Sequence, residues 1–127
     1  MTQSMAGVAL AAGAGSRLAP ITDGIPKPLC PVANRPLIDH ALDRLASVGA
    51  DAAVNVHHHH ERLIAWLGER VHVSHEAEEA LGTAGAIGRL RDWLDGRPVV
   101  IVNADTWCPG SLAPLVDGWD GDRVRVF

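Results

Sequence analysis

The sequence predicts an α/β protein in which a mostly parallel sheet lies between two layers of helices. Short apolar runs alternate along the 127 residues with segments whose apolar positions recur at helical spacing. The run at 99–102 is apolar throughout, as in a central parallel strand that helices cover on both faces. Strand–helix–strand units of this kind close with right-handed crossovers. We therefore expect one domain spanning residues 1–127, with a three-layer α/β/α, Rossmann-like architecture.

The individual elements follow from the apolar pattern and from residues that begin and end helices. Apolar or alternating runs predict five strands, at residues 6–10, 51–56, 71–75, 99–102 and 123–127. Between them, helices are expected from a cap at Asn34 to a stop at Gly49, over 61–67, from a cap at Thr83 to about Leu94, and from near Ser111.

Composition and charge narrow the kind of protein. Apolar residues make up 47% and charged residues 20% of the chain, which is typical of a globular protein. A net charge of −4, with no basic face to offset it, argues against nucleic acid as a partner. The sequence shows no secretory signal pattern and no apolar run of membrane-spanning length. Cys30 and Cys108 lack metal-type spacing. We expect a cytoplasmic protein with reduced thiols and no membrane partner.

A glycine-rich loop follows the first strand and is the most informative segment of the chain. Residues 10–16 read Leu-Ala-Ala-Gly-Ala-Gly-Ser, in which Gly13 and Gly15 let the backbone turn and bring bare N–H groups close to an anion. Arg17 and Lys27 add positive charge, and prolines at 20, 26, 28 and 31 stiffen the segment that carries the lysine. Together these features predict a site for the phosphates of a nucleoside triphosphate.

The loop differs from two widespread phosphate-binding motifs. The chain contains no Gly-x-x-x-x-Gly-Lys-Ser/Thr string, so it has no Walker P-loop. Leu18 stands where a dinucleotide-binding fingerprint has its third glycine, and no acidic residue closes a second strand near Val54. The sequence therefore excludes both of these nucleotide-binding classes.

Further polar residues follow the other predicted strands, at the edge where sheets of this type bind ligands. Asp105 comes just after the strand at 99–102 and is placed to hold Mg²⁺, which prefers a few carboxylates with phosphate oxygens and water. The alternative is an aspartate that caps a turn. The histidines at 57–60 lie at a strand end, where alternating side chains cannot all converge on a zinc ion. The glutamates at 76, 78 and 79 are expected in a solvated acidic loop.

The stretch from Leu10 to Ile38 resembles the signature of the sugar-1-phosphate nucleotidyltransferases, or NDP-sugar pyrophosphorylases. Their pattern is roughly Leu-Ala-Ala-Gly-x-Gly-x-Arg-Leu-x-Pro-x-Thr, then Pro-Lys-Pro-Leu-x-Pro-Val and Pro-Leu-Ile, and this chain matches nearly every fixed position. The strings Val-Asn-Val-His-His and Asn-Ala-Asp-Thr-Trp are most similar to those of mannose-1-phosphate guanylyltransferases and N-acetylmuramate-1-phosphate uridylyltransferases. The resemblance runs from Val8 to about Phe127 but covers only the front half of a typical member. We therefore expect a truncated nucleotide-diphospho-sugar transferase fold.

The resemblance implies an enzyme that transfers a nucleoside monophosphate from an NTP to a sugar 1-phosphate, releasing pyrophosphate and forming an NDP-sugar. GTP or UTP is the favoured nucleotide and Mg²⁺ the cofactor, and a homo-oligomer is compatible with the family. Arg17 is implied to hold the departing β- and γ-phosphates and Lys27 to bridge the α-phosphate and the sugar phosphate. Asp105 is implied to carry the metal.

The resemblance also implies which residues contact the nucleotide. They are Leu10, Ala11, Ala12, Gly13, Ala14, Gly15, Ser16, Arg17, Lys27, Asn55, Gly82 and Thr83. The last two belong to a Leu-Gly-Thr-Ala-Gly string that lies beside the nucleobase in the family, although a threonine here is also an ordinary helix cap. Two other functions stay open: a non-catalytic nucleotide-binding or regulatory module lacking the sugar-acceptor half, and a cytidylyltransferase for a non-sugar phosphate such as phosphocholine.

Overall fold

The computed structural model describes residues 4–58 and 60–126, and a four-stranded parallel sheet forms its centre. Within these residues the strands, in chain order, are β1 (Ala6–Leu10), β2 (Pro31–Val32), β3 (Arg35–Pro36), β4 (Asp51–Val56), β5 (His72–His75) and β6 (Val99–Asn103). The large sheet has the order β5-β4-β1-β6 with every neighbouring pair parallel, and β2 and β3 form a short antiparallel pair. The first four predicted strands are confirmed to within one residue at either end.

Helices fill the connections between the strands. Those in the described part of the chain are α1 (Leu37–Ser47), α2 (His60–Leu67), α3 (Gly82–Arg89), α4 (Arg91–Leu94) and α5 (Ala113–Val116), with 3₁₀ turns at Ser16–Leu18 and Lys27–Leu29. No helix among these has both the length and the apolar character that crossing a bilayer requires.

The helices cover the sheet on both faces, which confirms the predicted three-layer arrangement. On one face, Leu45 of α1 and Leu63 of α2 are buried in the same apolar cluster as Val54 of β4. On the other face, Leu90 between α3 and α4 packs against Val8 of β1. Burying each large aliphatic side chain stabilises the fold by roughly 1.5–3 kcal/mol relative to leaving it exposed. The sheet is therefore a rigid platform for the loops at its edges.

Helix α1 forms because its apolar residues recur on one face, and the buried ones are Leu37, Ile38, Ala41 and Leu45. The helix approaches β1 closely at Gly7, where a Cβ atom would lie 2.9 Å from Cδ2 of Leu45. It ends as predicted before Gly49, whose φ of 71° lies in the left-handed region that favours glycine.

The predicted cap of α1 at Asn34 is wrong. Asn34 and Ala33 have φ values of 62° and 50° and form the two-residue turn between β2 and β3, in which Val32 pairs with Arg35. A tight hairpin turn requires positive φ values, which asparagine tolerates better than most residues. The helix instead follows Pro36, which precedes its first residue without a side-chain cap.

The predicted helix from Thr83 to about Leu94 is two helices. α3 begins at Gly82 after Leu81, so Thr83 lies inside the helix and is not its cap. Leu90, with φ −84° and ψ 2°, separates α3 from α4. The apolar spacing gave no sign of this break because the buried face continues across it.

The end of the chain also differs from the prediction. Ser111 lies at the start of a helix as expected, and its hydroxyl accepts a hydrogen bond from the Ala113 N–H, but α5 has only four residues. The last predicted strand is wrong: its described residues have no regular secondary structure, and Val124 and Val126 are 90% and 89% exposed. The alternation of arginine and valine is the pattern of a half-buried strand and led to the prediction, but in the structure these valines are exposed. Phe127 lies outside the described residues.

Candidate functional site

Three strand ends lie side by side at one edge of the sheet. The register pairs Leu10 of β1 with Asn55 of β4 and with Asn103 of β6, so the chain leaves these strands at the same level. The Ala104 N–H donates to the Leu10 carbonyl at 3.0 Å, which fixes the segment carrying Asp105 beside the start of the glycine-rich loop. This is the edge at which parallel α/β sheets bind ligands.

A cleft of about 240 Å³ opens at this edge. Its walls come from the end of β1 and the following loop, the end of β4, the start of α3 and the segment after β6. The lining residues are Leu10, Ala12, Gly13, Asn55, Ala80, Gly82, Thr83, Asn103 and Asp105. All of these except Ala80 and Asn103 are site residues that the sequence predicted. The structure thus gathers residues from distant parts of the chain around one cavity.

Lys27 contacts Asp105, which lines the cleft, although Lys27 lies 78 positions earlier in the sequence and is not itself a lining residue. Nζ of Lys27 lies 3.2 Å from Oδ2 of Asp105, and the hydroxyl of Thr106 donates to the other carboxylate oxygen at 3.3 Å. The two paired side chains are 26% and 38% exposed, so water screens them and the pair contributes about 1 kcal/mol or less to stability. Its main consequence is chemical, since it puts a cation and a carboxylate together where a ligand can enter.

The two glycines of the loop are in different structural environments. Gly15 has a φ of 66°, and a Cβ there would lie 2.9 Å from Cβ of Lys27. The hydroxyl of the buried Thr22 donates to the Gly15 carbonyl at 2.8 Å, so the loop is folded tightly against the lysine segment. At Gly13 a Cβ would meet no described atom within 4 Å, and φ is outside the left-handed region. The fold therefore requires glycine at 15, whereas glycine at 13 leaves open space on the cleft wall.

Not every predicted loop residue lines the cleft. Arg17 is exposed on the turn Ser16–Leu18 and is not among the lining residues. Ala14 and Ser16 are also exposed, whereas Ala11 is buried and its N–H donates to Asn55. Lys27 is not a lining residue either, but its Nζ contacts Asp105, which is one.

The expectation that Glu76 lies in a solvated loop is wrong. This residue is 2% exposed, and its carboxylate accepts hydrogen bonds from Nδ2 of Asn55 and from the Leu81 N–H, each at 2.9 Å. Oδ1 of Asn55 in turn accepts from the Ala11 N–H at 2.8 Å. The two other glutamates of the segment are exposed as expected. The signal that could have found Glu76 is its place directly after β5, at the same edge as the other site residues.

The site offers a limited set of metal ligands. Within residues 4–58 and 60–126, no group of three or more His, Cys, Asp or Glu side chains is placed to hold a metal ion. Nδ1 of His57 contacts the Glu76 carbonyl, the rings of His60 and His75 lie 4.1 Å apart, and His59 lies outside the described residues. One strand-end carboxylate, completed by phosphate oxygens and water, is a donor set that Mg²⁺ accepts. The residues present therefore fit Mg²⁺ bound together with a nucleotide.

A larger cavity of about 600 Å³ lies elsewhere, between β6 and the segment after α5. Apolar side chains supply much of its wall, among them Val99, Ile101, Leu115 and Val124. Arg97, Arg123 and Arg125 also line this cavity, but the glycine-rich loop does not, and none of its described lining residues carries a carboxylate that could hold a metal ion beside a phosphate. We therefore assign the candidate site to the smaller cleft at the strand ends.

A parallel sheet with helices on both faces and a glycine-rich loop, a lysine and an aspartate at one strand-end edge is an arrangement suited to binding a phosphate-bearing ligand. Comparison with known families gives a narrower class: the family model described as "Nucleotidyl transferase" matches residues 6–121. The chain belongs to this nucleotidyl transferase family, which confirms the resemblance that the motifs indicated.

Individual relatives agree with this membership. The chain is 37% identical to an N-acetylmuramate alpha-1-phosphate uridylyltransferase of Caulobacter vibrioides, over 92% of this chain and 54% of the relative. It is 36% identical to a probable mannose-1-phosphate guanylyltransferase 2 of Arabidopsis thaliana, over 88% of this chain and 34% of the relative. Both names match the two groups that the motif strings indicated. The chain spans about half or less of the length of these proteins.

A solved structure supports the fold. A putative glucose-1-phosphate thymidylyltransferase from Bacillus anthracis superposes with a TM-score of 0.73 at 28% identity, over 87% of this chain and 48% of that protein. The predicted fold class is therefore confirmed by a neighbour of the same family type.

Proposed function

We propose that the chain is the nucleotide-binding part of an enzyme that transfers a nucleoside monophosphate from an NTP to a sugar 1-phosphate, forming an NDP-sugar and pyrophosphate. The observation that carries this proposal is the contact of Lys27 with Asp105, a carboxylate that lines the same cleft as the glycine-rich loop. The names of the relatives support the sugar-phosphate acceptor. Because the chain spans only part of those relatives, turnover by these 127 residues alone is itself part of what must be tested.

Nucleotidyl transfer requires positioning and charge neutralisation from the protein rather than a strong base. An oxygen of the sugar phosphate, already anionic, forms a bond to the α-phosphorus as the bond to pyrophosphate breaks and its electron pair leaves with that group. Backbone N–H groups around Gly13 donate to phosphate oxygens. Lys27 bridges the α-phosphate and the incoming phosphate and so offsets their mutual repulsion. Arg17, on the exposed side of the loop, meets the β- and γ-phosphates where they project from the cleft.

Asp105 would hold Mg²⁺ in this scheme. The ion, when bound, shields the triphosphate charge and stabilises charge that develops on the leaving group. Asp105 also holds Lys27 before the nucleotide arrives. Phosphate binding then exchanges the contact of Lys27 with a carboxylate for contacts with phosphate oxygens, which keeps the lysine partnered at every stage.

The base is proposed to lie beside Gly82 and Thr83, at the start of α3. Gly82 has a φ of 72° and no described atom within 4 Å of a Cβ built there, so the backbone is accessible from the cleft. Thr83 is exposed and lines the same cleft. GTP and UTP are the favoured nucleotides because the relatives named above are a guanylyltransferase and a uridylyltransferase.

The cellular setting is also a proposal. A cytoplasmic location fits a protein that uses NTPs and whose Cys30 and Cys108 are free thiols. We infer one folding unit over residues 1–127, with no nucleic acid or membrane partner, and a homo-oligomer as its assembly.

A pyrophosphate-release assay tests the function directly. The chain is supplied with Mg²⁺, each of GTP, UTP, dTTP and CTP, and mannose 1-phosphate, N-acetylmuramate 1-phosphate or glucose 1-phosphate, with CTP and phosphocholine as a separate arm. Release with a sugar phosphate is the expected result. Nucleotide binding by calorimetry without release, in this chain and also in a longer form, would favour the non-catalytic module. Release only with phosphocholine would favour the cytidylyltransferase. Absence of NTP binding would overturn the proposal altogether.

A further inference from the structure

We propose that Glu76 is a positioning residue that holds the glycine-rich loop in its binding conformation through Asn55. Neither residue then acts as a ligand of the phosphates. The inference deepens the proposed function and rests on it, because it assigns a role in the same cleft. Glu76 does not line that cleft, and the sequence placed it in solvent.

The geometry joins four parts of the site through one buried carboxylate. Glu76 follows β5, and its own N–H donates to the carbonyl of Val56 at 2.8 Å. Its carboxylate accepts a hydrogen bond from Nδ2 of Asn55, at the end of β4, and another from the N–H of Leu81, at the start of α3. Oδ1 of Asn55 accepts a hydrogen bond from the N–H of Ala11, the first residue after β1. The loop after β1, the end of β4 and the entry to α3 are thereby fixed to one another.

The direction of these hydrogen bonds requires a carboxylate at position 76. An asparagine amide has a donor and an acceptor end that are nearly the same shape, so packing alone does not choose its orientation. Oδ1 of Asn55 must face the Ala11 N–H, and Nδ2 must then find an acceptor. An ionised glutamate accepts from both Nδ2 and the Leu81 N–H, whereas any group with a donor there would oppose one of them. Glu76 therefore sets the orientation of the Asn55 amide.

A direct role in phosphate binding is disfavoured by charge. A buried carboxylate close to the cleft repels a triphosphate, and burying it is costly unless donors compensate. Two neutral donors do so here. The buried carboxylate favours binding by ordering the loop. N–H groups that are already aimed at an anion bind it without an ordering cost. Asn55, with both ends of its amide engaged inside the protein, is a support of the cleft wall.

The first test is Glu76→Gln, with Glu79→Gln as the matched control. The control removes the same charge from an exposed side chain of the same segment. Glu76→Gln sets an N–H against one of the two donors, either the buried Asn55 amide or the partly buried Leu81 N–H. An unpaired buried donor shifts the equilibrium from the ordered toward the open loop by about tenfold or more. We expect amide exchange at Ala11 and Leu81 to rise about tenfold, and the Kd for the preferred NTP to rise about tenfold, with the control unchanged. Unchanged exchange at Ala11 would overturn the proposal.

A compensating pair of substitutions separates positioning from direct binding. Asn55→Asp alone sets two carboxylates against each other and should weaken NTP binding as Glu76→Gln does. Combined, the aspartate at 55 accepts from the Ala11 N–H and from the new glutamine amide, while the glutamine oxygen accepts from the Leu81 N–H. The double variant should recover the melting temperature and the Ala11 protection of the original chain. Because it also carries a carboxylate on the cleft wall, its NTP affinity is compared with that of Asn55→Asp, over which it should gain about tenfold. A double variant no better than its worse parent would overturn the proposal.

These experiments also keep the two proposals distinguishable. Amide exchange and melting temperature are measured without nucleotide, so they test the network even if the chain binds no NTP. A chain whose network responds as expected but that binds no NTP would contradict the proposed function alone. Recovery of melting temperature and Ala11 protection with no gain in NTP affinity over Asn55→Asp would overturn the positioning role.

Discussion

Removing the charge of Lys27 should weaken NTP binding strongly and change the folding stability only slightly. Lys27→Met keeps the aliphatic stem of the side chain and removes its charge. The pair with Asp105 spans 3.2 Å, but both side chains are partly exposed, so its loss should cost about 1 kcal/mol or less of folding free energy. Asp105 stays hydrated after the change, which avoids the penalty of a buried unpaired charge.

Binding should respond far more strongly. A charge-assisted hydrogen bond to phosphate is worth about 1.5–3 kcal/mol, which corresponds to roughly a tenfold to hundredfold increase in the NTP Kd. The uncompensated Asp105 adds repulsion of the triphosphate in the same direction. Urea unfolding gives the stability and isothermal titration calorimetry with Mg²⁺ and the preferred NTP gives the affinity.

Arg35→Met is the matched control for this experiment. Arg35 donates to Asp43 at 2.7 Å, and this hydrogen bond raises the pKa of the guanidinium above its ordinary value, so the control removes a cation that is charged at neutral pH. This pair belongs to β3 and α1 and is not part of the cleft lining. We expect no change in NTP affinity. An equal loss of affinity in both variants, or none at Lys27→Met, would refute the placement of Lys27 against the phosphates.

Further predictions concern the carboxylate, the glycines and the reactivity of the lysine. Asp105→Asn should remove the Mg²⁺-dependent part of nucleotide-induced thermal stabilisation and keep the Mg²⁺-independent part; an unaltered response to Mg²⁺ would exclude Asp105 as a ligand. Gly15→Ala should destabilise the fold by about 1–2 kcal/mol in urea because of its left-handed φ and its contact with Lys27. Gly13→Ala should stay within about 0.5 kcal/mol and weaken NTP binding instead; equal stability losses would contradict the different demands on the two positions. Lys27 is the only lysine in the chain, so an amine reagent should modify it and the N-terminal amine, and NTP should slow only the reaction at Lys27 in peptide mass spectrometry. Equal rates with and without NTP would place Lys27 away from the bound phosphates.

Much of this fold follows from local patterns in the sequence. β1 and β4 were predicted at their observed bounds, because both are short, mainly apolar runs that are bounded by segments of a different pattern. The break at Leu90 could not be predicted, since apolar residues continue at helical spacing through α3 and α4. The segment at 123–126 shows the opposite error, because alternation indicates a strand only where a partner and a covering layer exist.

The site divides in the same way. The convergence of Lys27 with Asp105 was predictable, because one belongs to a recognisable motif and the other follows a central strand. The burial of Glu76 was not predictable from its neighbours, since acidic residues are rarely buried and its two donors come from other segments. The position of Arg17 outside the cleft lining depends on the turn at Ser16–Leu18, which the motif alone did not specify.

The alignment of the ends of β1, β4 and β6 determines how the protein tolerates substitutions, insertions and deletions in these strands. Backbone pairing, rather than any side chain, aligns Asn55 and Asn103 with Leu10 at the edge of the sheet. Exchanges of one aliphatic residue for another within these strands leave that alignment intact. A single inserted or deleted residue in β6 would instead offset Asp105 by about 3.3 Å and invert the faces of the residues that follow it. The strands are thus permissive toward substitution and intolerant of changes in length.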